Sequence, residues 1–267
     1  MTSAVTDSKD TYETPDAAYP GLARRIPTLY FYLRMVGTVY SASRKAGKGV
    51  YTPEEWIKSS LEIIAHLEKA GCHFLVDGKK NFIDLDSPCV FAGNHMSTLE
   101  TFALASIIRP HRPVTFVVKD SLVRYPLFGR VMVSVNPIVI SRKNPRQDFK
   151  TVMEQGGQAL AQGMSVIIFP QSVRTHTIDP AKFNSIGIKL ARKADVPIVP
   201  LALKTDAWDI GWPVKEFGRI RPTRDIHFSF GHPLRIEGRG RDEHQAVINF
   251  ISGKLAQWKK EVTIRHS

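Results

Sequence analysis

Val90-Phe91-Ala92-Gly93-Asn94-His95-Met96-Ser97-Thr98-Leu99-Glu100 decides how the chain folds. The apolar run from Cys89 to Ala92 reads as a short buried strand. Gly93, Asn94 and His95 interrupt it, and the periodic apolar positions Leu99, Phe102, Ala103 and Ile107 then read as a helix. His95 therefore falls on a strand-to-helix turn, at the carboxyl end of a strand, where open α/β sheets place their ligands. Glu100 lies in the first helical turn, within reach of the imidazole. A carboxylate on one ring nitrogen orients a histidine and leaves the other free to take a proton, which is what a general base needs. The same spacing has a structural alternative. Ser97-x-x-Glu100 is a capping box, with Ser97 at N-cap and Glu100 at N3 reaching back to a backbone N–H. Spacing alone favours the cap, and the residues further along the chain favour the base.

With 267 residues, 43% of them apolar, the chain can bury the core of one large α/β domain. Lysine and arginine number 37 against 25 acidic residues, a formal charge of +12. That excess implies an anionic partner: nucleic acid, a phospholipid surface or a phosphorylated small molecule. A solvated basic surface accounts for part of it. Cys72 and Cys89 suggest neither a disulfide framework nor a zinc site, and imply a reducing compartment.

Residues 1–20 read as a disordered or loosely attached tail, polar and without the apolar core of a signal peptide. Residues 21–71 read as amino-terminal helices. The stretch Ile26 to Ala42 is interrupted by Arg34 and too short to span a bilayer. Tyr30, Tyr32 and Tyr40, flanked by Arg24, Arg25, Arg44 and Lys45, suit a membrane surface, and a helix packed on the domain fits them equally. Thr52-Pro53 starts a further helix, with Thr at N-cap and Pro at N1. Residues 72–267 form the main domain. Phe74 to Val76 and Phe82 to Leu85, around Asp77-Gly78, predict a small hairpin. Strands follow at 114–118, 138–140, 166–169, 197–203 and 226–230, with helices at 98–108, 146–162, 186–193 and 242–262. Alternation of this kind predicts an α/β fold: a single domain with a mostly parallel or mixed sheet covered by helices.

Lys119, Arg142 and Arg174 each follow an apolar strand-like run. In a parallel sheet they would gather with His95 on one edge. A base among fixed cations suits a phosphorylated substrate whose hydroxyl must lose a proton.

These residues resemble a known family. Asn94-His95-x-x-x-x-Glu100 resembles the NHxxxxD signature of the glycerolipid acyltransferases, which include the 1-acyl-glycerol-3-phosphate and glycerol-3-phosphate acyltransferases. Lys119-x-x-Leu122-x-x-x-Pro126-x-x-Gly129, leading to Ile140-Ser141-Arg142, is similar to the second block. Phe169-Pro170-Gln171-Ser172-Val173-Arg174-Thr175 resembles the FPEGTRS block, and Val196-Pro197-Ile198-Val199-Pro200 the fourth, reached through Ile186-x-x-Lys189-Leu190-Ala191. The blocks occur in the family's order, in a motif core over residues 89–204.

The resemblance implies transfer of a fatty acyl group from acyl-CoA or acyl carrier protein to a hydroxyl of a lysolipid or glycerol-phosphate acceptor, in phospholipid biosynthesis or remodelling. His95 would be the general base, with Glu100 in place of the family's aspartate. Lys119, Arg142 and Arg174 would hold the acceptor's phosphate. Asn94, Pro170, Gln171, Ser172 and Val173 would form the site loop, with backbone donors near 170–173 for the tetrahedral oxyanion. Gln171, Ser172 and Val173 stand where the family has Glu-Gly-Thr, so an acceptor other than lysophosphatidic acid stays open. No cofactor beyond the thioester donor is expected, and no metal. An anionic membrane surface is the expected partner, nucleic acid is not, and the expected location is cytoplasmic, on the inner or cytoplasmic membrane face.

The rivals are a serine hydrolase using Ser172 with His95, a basic module binding nucleic acid or membrane, and a metalloenzyme. Ser172 lacks the flanking glycines of a nucleophile elbow. There is no RNP signature or zinc finger, and the nine histidines show no ligand spacing. Lys215, Arg219, Arg221, Arg224 and Arg235, near Trp208 and Trp212, read as solvated loops, with membrane contact as the functional alternative.

Overall fold

Short apolar runs closed off by polar turns become the strands of the sheet, as expected for strands covered on both faces. The computed structural model describes residues 5–15, 22–171 and 173–265. The strands are β1 (Tyr12–Glu13), β2 (Phe74–Asp77), β3 (Val90–Gly93), β4 (Val114–Lys119), β5 (Ile138–Ile140), β6 (Ser165–Ile168), β7 (Ile198–Lys204) and β8 (Ile226–Phe230). They form one sheet in the order β1-β2-β8-β7-β3-β6-β4-β5. The run β7-β3-β6-β4-β5 is parallel throughout. β8 then pairs antiparallel with β7 and parallel with β2, and β1 closes that edge antiparallel to β2. The sheet is therefore mixed, with a parallel half.

The helices are α1 (Leu22–Arg25), α2 (Pro27–Gly47), α3 (Pro53–Lys69), α4 (Lys80–Ile83), α5 (Leu99–Ile108), α6 (Asp120–Val123), α7 (Phe128–Ser134), α8 (Pro145–Thr151), α9 (Gly157–Ala161), α10 (Ile186–Ala194) and α11 (Arg241–Arg265). Alternate side chains of the central strands feed two apolar layers. Phe91, Ile167, Val199, Leu201 and Leu203 pack beneath α2, α3 and α5. Val90, Ala92, Val166, Ile168, Ile198 and Ala202 pack against α9, α10 and α11. Each fully buried Val, Leu, Ile or Phe among these contributes about 1.5–3 kcal/mol over its exposed state. α3 starts as its sequence dictates: Thr52 caps it by accepting from the Glu55 N–H at 3.4 Å, with Pro53 next.

Three sequence expectations need correcting. Residues 5–15 are not a loose tail: Val5 and Tyr12 are buried, and β1 pairs with β2. The buried Lys79 ammonium donates to the carbonyls of Val5 at 3.2 Å and Asp7 at 2.5 Å, which ties this segment down. Residues 1–4 and 16–21 lie outside the described residues. The hairpin is absent, because β2 pairs with β8 and the 82–85 segment starts in α4. The helix expected over 146–162 is interrupted by a π turn, Val152–Gly156. There Leu190 of α10 packs so close that a Cβ on Gly156 would stand 2.8 Å from it.

Candidate active site

The carboxyl ends of β3, β4, β5, β6 and β7 all open on one edge of the sheet, and His95 lies two residues past the end of β3. Asn94 fixes that strand end: its Oδ1 accepts from the Leu203 N–H and its Nδ2 donates to the Leu203 carbonyl, both at 2.8 Å. The residue is thus a strut between β3 and β7. The His95 N–H donates to Gln171 Oε1 at 2.9 Å, and the His95 carbonyl accepts from the Thr175 N–H at 2.9 Å. Gln171 Nε2 donates in turn to Thr175 Oγ1 and the Thr177 carbonyl, both at 3.2 Å. The loop after β6 is therefore laced to the histidine turn.

The ring itself is held on two sides. Phe169 stacks on it with centroids 4.6 Å apart and planes 10° apart. Nδ1 donates to Glu100 Oε2. Glu100 is fully buried, and its other oxygen, Oε1, accepts from the N–H groups of Met96 (2.8 Å) and Ser97 (2.9 Å) and from Thr205 Oγ1 at 2.5 Å. One carboxylate thus does both things the sequence allowed. Oε1 satisfies the backbone ahead of the helix as a cap, while Oε2 clamps the imidazole. Ser97 is not the N-cap: the helix begins after Thr98, and Ser97 Oγ accepts from the Leu99 N–H at 3.1 Å.

With Nδ1 engaged, Nε2 has no hydrogen-bond partner among the described residues, and His95 lines a cavity of about 420 Å³. That cavity also receives Lys119, Arg142 and Arg174, so the three cations do meet the histidine. Lys119 ends β4. Arg142, exposed at the rim, sits at φ 59°, a left-handed conformation that costs a non-glycine residue about 1–2 kcal/mol. Partial desolvation lowers its pKa, as does the like charge of Arg174, with Asp148 acting against them. A guanidinium whose charge is disfavoured by a neighbouring one makes a site prepared for an anion.

The polar lining residues that did not figure in the sequence reading as site residues include Tyr125, Lys215 and Glu216. Glu216 contacts Arg174 Nη2 at 3.4 Å and accepts from the Tyr125 hydroxyl at 3.0 Å. Thr205 was also missed, although it directly follows β7 on the same edge. Gly129 of the second block is needed for packing, since a Cβ there would lie 2.4 Å from the Val123 carbonyl oxygen. Val173 lines the cavity, whereas Pro170 faces a neighbouring cleft. Ser172 lies outside the described residues. Pro170 has no N–H and so cannot be one of the backbone donors expected for an oxyanion. Among the described residues, no group of three His, Cys, Asp or Glu is placed to hold a metal. In the basic loops Trp208 is buried and Trp212 is 93% exposed. Arg221 and Arg224 are committed to Asp209 (2.7 Å) and Asp206 (3.3 Å).

Residues 73–204 match the family model described as Acyltransferase. The 1-acyl-sn-glycerol-3-phosphate acyltransferase of Pseudomonas aeruginosa is 32% identical over 171 residues, 64% of this chain and 63% of that protein. A probable 1-acyl-sn-glycerol-3-phosphate acyltransferase of Mycoplasma pneumoniae is 34% identical, covering 61% of this chain and 63% of its own length. The chain thus spans a little under two thirds of these relatives. Among solved structures, the 1-acyl-sn-glycerophosphate acyltransferase PlsC of Thermotoga maritima shares the fold, with a TM-score of 0.65 and 17% identity, over 87% of this chain and 94% of that one.

Proposed function

We propose, from the match of residues 73–204 to the family model described as Acyltransferase, that the protein transfers a fatty acyl group from a thioester to a hydroxyl of a lysolipid or glycerol-phosphate acceptor. The donor is acyl-CoA or acyl carrier protein. The observation that carries the proposal is the buried His95–Glu100 pair facing a cavity rimmed by Lys119, Arg142 and Arg174. Nε2 of His95 takes the hydroxyl proton as the acceptor oxygen attacks the thioester carbonyl carbon. Glu100 holds Nδ1–H and stabilises the imidazolium. Collapse of the tetrahedral intermediate breaks the C–S bond, and the imidazolium returns its proton to the departing thiolate. The guanidiniums grip the acceptor's phosphate, and Lys119 adds a point charge.

The acceptor is delivered from an anionic membrane surface, on which the protein sits peripherally at the cytoplasmic face. Leu29, Leu33, Val36 and Tyr40 form an exposed apolar stripe on α2, while Phe31, Met35 and Ala42 face the core. The Phe217 ring lies 5.4 Å from that of Tyr32 on the same helix. Phe217 belongs to the loop that carries the exposed Trp212 and sends Ile210, Lys215 and Glu216 into the cavity. Among the described residues no helix is long and apolar enough to cross a membrane.

The test is a panel of lysolipids and glycerol 3-phosphate with palmitoyl-CoA, following released thiol. At least one acceptor should be acylated, and His95→Ala should lower that rate by roughly 10²–10⁴-fold with the fold intact. Full activity of the variant, or thiol release that yields only free fatty acid, would overturn the proposal.

A further inference from the structure

A second cleft, about 530 Å³, shares Val117, Arg142 and Phe169 with the cavity at His95 and runs away from it between α8 and α10. Its walls combine apolar surface (Ile140, Phe149, Ile186) with polar side chains such as Asn184 and Lys189. A narrow amphipathic arm fits such a lining better than a bare hydrocarbon. At its outer end the cleft shares Phe149 and Lys189 with a surface depression that adds Lys150, Arg192 and Lys193.

Charge there is poorly balanced. Four cations, Lys150, Lys189, Arg192 and Lys193, face one carboxylate, Glu154. Glu154 pairs with Lys150 at 3.8 Å. Asp148, at the inner wall, is occupied by the Ser141 N–H and hydroxyl at 2.8 and 3.1 Å. Lys189 lies over the Phe149 ring at 5.5 Å, and Lys193 donates to the Met153 carbonyl at 3.3 Å. Neither contact neutralises an ammonium. One end of the route is the proposed base, and the other is a cationic mouth.

We propose that this cleft holds the phosphopantetheine arm of the thioester donor, with its phosphate end at Lys189 and Lys193 and its thioester passed between Arg142 and Phe169 to His95. The proposal rests on the acyl-transfer reading and adds the donor's path to it. The acceptor and the donor then approach the imidazole from different sides. The acceptor's phosphate sits in the cavity with Lys119, Arg142 and Arg174, and the donor's phosphate lies on the far side of Arg142.

The experiment compares the native protein with the Lys189→Glu/Lys193→Glu double variant, whose two positions are exposed. Three donors are used: palmitoyl-CoA, palmitoyl acyl carrier protein, and S-palmitoyl-N-acetylcysteamine, which keeps the thioester and lacks the phosphate. The KM for at least one phosphate-bearing donor should rise roughly tenfold or more, while the acceptor KM changes less than about twofold. Rates with the truncated donor should stay within about twofold of native. Which of the two full donors is affected identifies the source of the arm. Equal damage with the truncated donor, or unchanged KM for both full donors, would overturn the proposal. Calorimetric titration with free CoA and with acyl carrier protein separates this failure from failure of the acyl-transfer reading. A ligand bound by native protein and lost in the variant supports the cleft whether or not transfer is seen, and no binding of either ligand overturns it.

Discussion

Replacing Glu100 by Gln changes one atom at the centre of the site, and its consequence can be worked from the contacts. Oε1 faces three donors, the N–H groups of Met96 and Ser97 and the Thr205 hydroxyl. A glutamine must therefore put its oxygen there and turn its NH₂ toward His95. Nδ1 then has to accept, so the ring proton moves to Nε2, the nitrogen that faces the cavity. An imidazole in that tautomer cannot take a proton from an alcohol. The expected loss is the general-base contribution, roughly 10²–10⁴-fold, or about 3–5 kcal/mol of transition-state stabilisation. Folding should survive, because the three donors keep a partner, at a cost of about 1–3 kcal/mol for the lost charge. The assay is initial thiol release from palmitoyl-CoA with the best acceptor. Protein background is low, since burial pushes the Cys72 and Cys89 thiols up to about 12 and about 11. Because the two residues act as a unit, His95→Ala/Glu100→Gln should be no slower than His95→Ala alone. A Glu100→Gln rate within about tenfold of native, or losses that multiply in the double variant, would refute the clamp.

Thr205→Val removes a buried donor to the Glu100 carboxylate and should slow turnover about tenfold, with Thr205→Ser recovering most of the rate; equal loss in both variants would mean a packing role. Glu216→Gln takes away the carboxylate that occupies Arg174, so the KM for a phosphomonoester acceptor should fall roughly two- to tenfold, and an unchanged KM would show that the pair does not compete with substrate. Leu33→Glu, on the exposed face of α2, should weaken sedimentation with anionic vesicles roughly tenfold, whereas undiminished binding would remove α2 from the membrane contact. His66 supplies a pH test. Burial, then the charge of Arg34, lowers its imidazole from 6.5 to about 4. As pH falls the unfolded chain takes the proton first, so stability is whole above pH 6.5 and declines toward pH 4, by at most about 3 kcal/mol. In thermal melts across that range, His66→Gln should flatten the decline; a profile parallel to native would refute the assignment.

Sequence reached most of the sheet because each central strand is a short apolar run ended by a turn, a pattern local enough to read without knowing the neighbours. The same logic brought Lys119, Arg142 and Arg174 to the edge that carries His95, since residues just past parallel strands must share an edge. What escaped depends on contacts between distant segments. Residues 5–15 look like a tail by composition, yet they fold back as an edge strand that Lys79, some seventy residues later, holds in place. Phe74 to Val76 alternates as a hairpin arm would, yet its partner is β8, far along the chain. Thr205 follows β7 on the same edge but is uncharged, and Glu216 carries no local signature. Only the position of Glu100 and Arg174 in space makes them part of the site.

Two of the departures from the resembled motifs, those at positions 100 and 171, are physically intelligible once the contacts are known. At position 100 a carboxylate on the longer side chain still bridges the backbone of Met96 and Ser97 and the imidazole, one oxygen for each, so the added methylene is absorbed without giving up either bond. At position 171 an amide uses both ends: it accepts from the His95 N–H and donates to Thr175 and to the Thr177 carbonyl, which a carboxylate could not do. The negative charge missing at Gln171 has a counterpart at Glu216, whose carboxylate contacts Arg174 from a loop outside the four blocks. The cavity therefore holds a carboxylate beside its guanidiniums, carried by Glu216 next to Lys215. In the proposed reaction a carboxylate there would meet whatever the acceptor carries beyond its phosphate. A headgroup bearing an ammonium would gain a partner in Glu216, and a bare phosphomonoester would have to displace it from Arg174. On the proposed function, acceptor preference would be decided by Glu216, while the His95–Glu100 pair would serve any acceptor alike.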